Sequence, residues 1–205
     1  MKRGHWQILL AAALFLLALG LTLYPVVSNW YIGQHQSRIQ TEYREVLEQT
    51  DSAEIESIRE SAVAYNKTIT PGAAEKAYSQ ASIRLAAEDY VNQLSVSGSG
   101  IMGYVEIPKI GADLPIYHGT GADSLDRGTG HLLGSSLPVG GESTHTIITG
   151  HSGMASQKMF TDLEQLREGD IFYLHVLDET LAYEVRTIHT VLPHDTTYLG
   201  IEPGE

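Results

Sequence analysis

The chain has 205 residues, 42% of them hydrophobic, which suits one globular unit with appendages. Its formal net charge of −12, with no stripe of lysine and arginine to offset it, argues against a nucleic-acid partner, whose phosphates would be repelled. The absence of cysteine excludes disulfides, thiolate metal sites and any cysteine enzyme complete within these residues.

Residues 1–7 form a short start containing Lys2 and Arg3, and the run from Ile8 to Val27 carries no charge. About 20 residues rising about 1.5 Å each span roughly the 30 Å hydrocarbon core of a bilayer. A cleaved signal peptide has an apolar region of only about 7–15 residues. Val26-Val27-Ser28 is also a poor cleavage site, so residues 8–28 read as a retained signal-anchor helix. The basic start places the N-terminus in the cytoplasm and the main domain outside, after a single pass. Trp6, Tyr24, Trp30 and Tyr31 bracket the run as interfacial aromatics do.

Residues 29–97 read as a helical stalk or lid. Ile39, Tyr43, Val46, Leu47, Ile55, Ile58, Ala62 and Tyr65 recur mostly at three- and four-residue steps, an apolar stripe on one long helix or two short ones. Asn66 to Gly72, with Thr70-Pro71-Gly72 inside it, breaks the pattern. Ala74, Ala77, Ala81, Leu85 and Leu94 then predict a second, alanine-rich helix, and Ser95 to Gly100 a short flexible joint.

From residue 98 to 205 the period shifts from helical to alternating. Ile101–Ile107, Leu114–Tyr117, Thr146–Thr149, Ile171–Val176 and Leu181–Leu192 are predicted strands, the last two an antiparallel hairpin joined by Leu177 to Thr180. Met159, Phe160, Leu163 and Leu166 predict one helix, ending near Gly169. Many strands with few intervening helices favour a mainly β, mostly antiparallel barrel or sandwich over a doubly wound sheet.

Two chemistries compete for Gly150-His151-Ser152-Gly153-Met154. As a nucleophile elbow it would lift Ser152 above an α/β-hydrolase sheet, but the closing glycine that lets the helix approach the strand is Met154 here. That turn also requires a parallel sheet, which the predicted hairpin opposes. The other reading makes His151 the functional residue. His145 and His151 lie six apart and would share a strand face, yet no carboxylate at ligand spacing completes a metal site, so no metal or cofactor is expected. Gly128 and Gly130 lack a following Gly-Lys-Ser/Thr, so a phosphate loop is not supported either. His118 and His131 read as packing or turn residues.

Four ordered blocks resemble the class C, pilus-assembling branch of the sortases, membrane-anchored transpeptidases of Gram-positive bacteria. They are Gly103-Tyr104-Val105-Glu106-Ile107-Pro108-Lys109-Ile110, Leu114-Pro115-Ile116-Tyr117-His118-Gly119, Gly128 to Gly141, and Thr144 to His151. The anchor, with Leu23-Tyr24-Pro25, fits as well. The resemblance implies a sortase β-barrel, incomplete here with about six of the eight strands, preceded by a transmembrane helix and a helical lid region. It implies pilin or surface proteins with LPxTG-like sorting signals as partners, and His151 as the catalytic histidine. The family's cysteine and arginine are expected on strands just past Glu205, so Arg186 is not given the arginine's role and reads as a solvated hairpin residue. The 205 residues are thus expected to be inactive alone; a non-enzymatic remnant or sorting-signal binder is the alternative, and a serine hydrolase using Ser152 a minor one. Two further departures are noted. The family's Asp-Pro-aromatic lid motif corresponds to Thr70-Pro71-Gly72, and the arginine that usually follows the histidine is Ser152.

Overall fold

The structure, a computed structural model, describes residues 2–79, 88–96, 100–153 and 158–201. Ala81 and Leu85 of the predicted second helix, residues 97–99 of the joint and Met154 lie outside the described residues.

The apolar run and the first part of the polar stripe form one helix, α1 (Lys2–Gln49). It is long and apolar enough to cross a membrane, and none of its apolar window is covered by protein. The stripe becomes buried only beyond Asn29: Gln36, Gln40 and Tyr43 sink against the sheet. The Gln36 amide donates to the Arg127 carbonyl (3.2 Å) and the Gln40 amide to the Asp113 carboxylate (2.9 Å). The stripe is thus neither one helix nor two short ones: its first half belongs to the long α1. The break falls at Asp51, whose carboxylate caps α2 (Ser52–Asn66) by accepting from Ala53 N at 2.7 Å. Asp51→Ala should therefore cost about 1 kcal/mol, read as a lower thermal midpoint that Asp51→Asn largely restores. α2 reaches the far end of the sheet, where Arg59 pairs with Asp178 and with Glu179 (2.7 Å). α3 (Ala73–Ser79) and the single turn α4 (Glu88–Val91) complete the helical part.

The rest is one six-stranded sheet curled into a half-barrel. Its strands are β1 (Ile101–Ile107), β2 (Ala112–His118), β3 (Thr129–His131), β4 (Ile148–Thr149), β5 (Ile171–Val176) and β6 (Glu179–Glu184). They run in the order β4-β3-β2-β1-β5-β6. All pairs are antiparallel except β2 with β3, which follows the short helix α5 (Ala122–Leu125). At Gly103 the two strands β1 and β5 approach so closely that a Cβ would run into the His175 carbonyl.

The mainly β class and the hairpin of the sequence reading hold, with corrections. The hairpin turn is two residues, Leu177 and Asp178, because Val176 already pairs with Glu179. The predicted strand Leu181–Leu192 stops at Glu184. Beyond the Val185–Asp170 bond (2.8 Å) β5 has no further residue to pair with. The predicted helix at Met159–Leu166 is a turn followed by a 3-10 turn, Leu163–Gln165. Its backbone starts with Met159 at φ 34°, outside the right-handed region a helix needs. Thr146 and Ile147 lie outside β4, and His131, read as a packing or turn residue, is the buried end of a strand.

Candidate active site

β4 leads through Gly150 to His151. A Cβ on Gly150 would stand 2.8 Å from the Phe160 ring and 3.3 Å from Thr129, so glycine is what allows the strand end to lie this close to both. The His151 carbonyl accepts from Phe160 N at 3.1 Å, which ties its backbone to the following turn. The imidazole side chain is 39% exposed, with Nε2 3.8 Å from the Asp126 carboxylate at the end of α5. That separation is too long for a hydrogen bond, so Asp126 attracts the ring without fixing it. An accessible imidazole beside a carboxylate is a candidate for passing a proton to and from a bound substrate.

Successive β4 residues face opposite sides of the sheet. Thr149, next to the site, lines a cleft of about 590 Å³ with Leu125 and Leu132, and α3 supplies its wall through Ala77 and Tyr78. The Tyr78 hydroxyl donates to the Pro193 carbonyl at 2.7 Å and holds α3 there. The turn before α3 carries Thr70-Pro71-Gly72, and Gly134 makes room for the chain at Ala73, where a Cβ would come within 2.7 Å. Ile148 lines the other side, an apolar cleft of about 510 Å³ with Val105, Phe160, Phe172, Leu174 and Tyr183.

The other histidines have structural positions. His145 Nδ1 meets the Gly200 carbonyl at 2.7 Å. It does not share a strand face with His151, because β4 spans only Ile148–Thr149. Among the described residues no group of three or more metal-binding side chains gathers. Arg186 is exposed just past β6, in a cleft with His145 and Tyr198. Ser152 is exposed, beside a sheet with a single parallel pair, which is not the frame of a nucleophile elbow.

Sequence reasoning missed a buried cluster behind the site. His131 is fully buried; its Nε2 donates to the Ser136 carbonyl at 2.8 Å, which leaves Nδ1 as the acceptor for the Tyr90 hydroxyl at 2.9 Å. Tyr90 O also accepts from Gly119 N at 3.0 Å, and its ring meets His118 edge-on at 5.1 Å. Burial holds the His131 pKa down at about 4 and lowers that of His118. The cluster joins α4 to β2 and β3. Its residues are separated by tens of positions, so no local spacing announces it.

A family model described as the sortase domain matches residues 105–205. Sortase D of Bacillus subtilis is 33% identical over 100 residues, 49% of this chain and 48% of that protein. The match thus spans about half the length of that curated relative. Among solved structures, Streptococcus pneumoniae Sortase C is 42% identical, with a TM-score of 0.71 over 82% of this chain and 83% of that one. Sortase C1 of Streptococcus agalactiae is 37% identical, with a TM-score of 0.70 over 82% and 84%. The chain belongs to the sortase family, and the solved structures it resembles include class C sortases, as its ordered blocks implied.

Proposed function

We propose that the chain is a class C sortase-like, membrane-anchored protein whose His151 serves cysteine transpeptidation of LPxTG-type sorting signals, linking pilin subunits through isopeptide bonds on the outer face of the cell membrane. In that reaction a thiolate attacks the threonine carbonyl carbon. The threonine–glycine C–N bond breaks, and the departing amine takes its proton from the imidazolium. A lysine amine of another subunit then attacks the thioester and gives a proton to the imidazole, the carbon–sulfur bond breaks to release the thiolate, and the isopeptide forms. His151 suits the proton transfers because it pairs accessibility with a nearby carboxylate. The observation that supports the reading is its place at the end of β4, in a chain that matches Sortase C at a TM-score of 0.71.

The 205 residues contain no thiol. By themselves they are therefore proposed to bind sorting signals without turning them over, which is also what the non-enzymatic reading requires. The test incubates the chain with a fluorogenic LPxTG peptide and a lysine-bearing acceptor, and in parallel with a photo-crosslinking LPxTG peptide. The expected result is no turnover, with adducts near Leu125, Thr149 and His151 that a scrambled peptide does not give. Absence of sequence-specific adducts would sink the sorting-signal reading. Turnover abolished by Ser152→Ala would replace it with a serine hydrolase.

A further inference from the structure

No turn or loop separates the apolar run of α1 from the residues that grip the sheet: one helix runs from Lys2 to Gln49. At about 1.5 Å per residue, Gly33 stands about 9 Å and Gln36 about 14 Å along the axis from Val27. The polar headgroup layer beyond the hydrocarbon is itself roughly 5–8 Å deep on each side. The part of the domain that packs against this stretch of α1 is thereby carried to the membrane surface.

That part is well defined. Asn29, Gly33 and Gln36 form one wall of a cleft of about 280 Å³, and Gly111, Lys158 and Met159 stand on the other. The Lys158 amine donates to the Ile110 carbonyl at 3.0 Å and pairs with Asp162 at 2.8 Å. Lys109, next to Ile110, pairs with Asp170 at 2.6 Å. Trp30 and Tyr31, at the same height on α1, are 66% and 68% exposed. Exposed Trp and Tyr are the residues that settle at the headgroup level. They set the depth independently of where the apolar run ends.

Resting on the membrane-anchor reading, we infer that the end of the domain carrying Lys109–Gly111 and Lys158–Met159 rests against the outer edge of the lipid headgroup layer, carried there by the continuous α1. The occupant of this surface is the bilayer. Its chemistry fits: the two lysines carry their own carboxylates, so this end presents neutral ion pairs and backbone to a layer that is itself mixed in charge. Attraction to anionic lipid is not what brings it there, since the chain as a whole carries −12. The continuity of the helix does. One consequence reaches the site. Gln36 holds the Arg127 carbonyl, and Asp126 beside it lies 3.8 Å from His151, so a peptide at His151 must be offered close to the membrane.

The chain's lack of cysteine makes a single introduced thiol a unique label. Lys109→Cys, Lys158→Cys, Asp178→Cys and Leu16→Cys, each carrying a bimane, are placed in nanodiscs containing nitroxide lipids labelled at the headgroup or along the acyl chain. Asp178 serves as the distant control, because it follows Leu177, which is bonded to Tyr43 some seven positions beyond Gln36. The headgroup nitroxide should quench the labels at 109 and 158 several-fold more than the label at 178, and the acyl-chain nitroxide should quench the label at 16. Equal quenching at 109, 158 and 178, with 16 still quenched, overturns the seating and leaves the anchor standing. An unquenched label at 16 overturns the anchor and the seating with it.

Discussion

Replacing Tyr43 by alanine should cost the protein about 3–5 kcal/mol, a large share of the roughly 5–15 kcal/mol that holds a domain together. Tyr43 is 1% exposed and sits in the main apolar core, with Ile101, Val105 and Val176 in the same cluster. Its hydroxyl works on two strands at once. It donates to the Met102 carbonyl of β1 at 3.2 Å and accepts from Leu177 N at the end of β5 at 2.9 Å. Alanine removes the ring, leaves a cavity and strands both backbone groups. Phenylalanine keeps the ring and strands only the polar pair, so Tyr43→Phe should cost about 1–3 kcal/mol. Thermal unfolding of the full chain in detergent, followed by near-ultraviolet dichroism, separates the two. Amide exchange at Leu177 gives a local readout, since Tyr43→Phe should accelerate it before global stability is lost. A cost below about 1 kcal/mol for alanine would mean that α1 is not structurally coupled to the sheet.

Such coupling was only half legible in the sequence. The apolar stripe that includes Tyr43 follows directly from helical spacing, and so does the anchor before it. The continuity of the two does not, because composition changes sharply near Ser28 and Pro25 lies inside the run, two signals that normally separate elements. In the structure α1 accommodates Pro25, and its polar half is held by the Gln36 and Gln40 hydrogen bonds together with the burial of Tyr43. In the sheet, the strands that alternate over six or seven residues, β1 and β5, were found where they lie. β3 was missed because three residues, with glycine before and among them, have no period to read. Its glycine is nevertheless informative: a Cβ on Gly130 would collide with the Gly119 carbonyl, so the parallel pairing with β2 depends on its absence. The strand Leu181–Leu192 was overextended for the opposite reason. Alternation continues past Glu184, but strand length is set by the partner, and β5 begins only at Ile171. His151 was singled out through the ordered blocks around it, whereas Asp126 was not, since only the fold brings the end of α5 to the end of β4.

Acid should loosen the protein through His131. The imidazole is fully buried, and its pKa falls from an ordinary 6.5 to about 4, first because burial penalises the charge and then because His118 lies nearby, opposed by the bond to the Ser136 carbonyl. The groups facing it are Tyr90 from α4, His118 from β2 and Ser135 from the turn after β3, none of them a carboxylate that would welcome the charge. A histidine whose folded pKa is depressed binds its proton more readily when unfolded. Its contribution to stability is therefore complete above about pH 6.5, declines as pH falls, and is gone below about pH 4. The displacement corresponds to about 3 kcal/mol over that window, and His118, lowered in the same direction, adds to it. Asp170 has its pKa lowered from 3.8 by the hydrogen bond from Lys109 and so loses its stabilising effect only below that range, which keeps the windows apart. Unfolding midpoints measured from pH 7.5 to 4.5 should thus fall steeply in the wild-type chain. His131→Gln should be less stable at pH 7.5 yet show a flatter profile, because the titrating ring is gone. Tyr90→Phe should keep the slope while lowering the whole curve, since it removes the hydroxyl that Nδ1 and Gly119 N share but leaves His131 buried. A His131→Gln profile as steep as the wild type would assign the acid sensitivity to other groups.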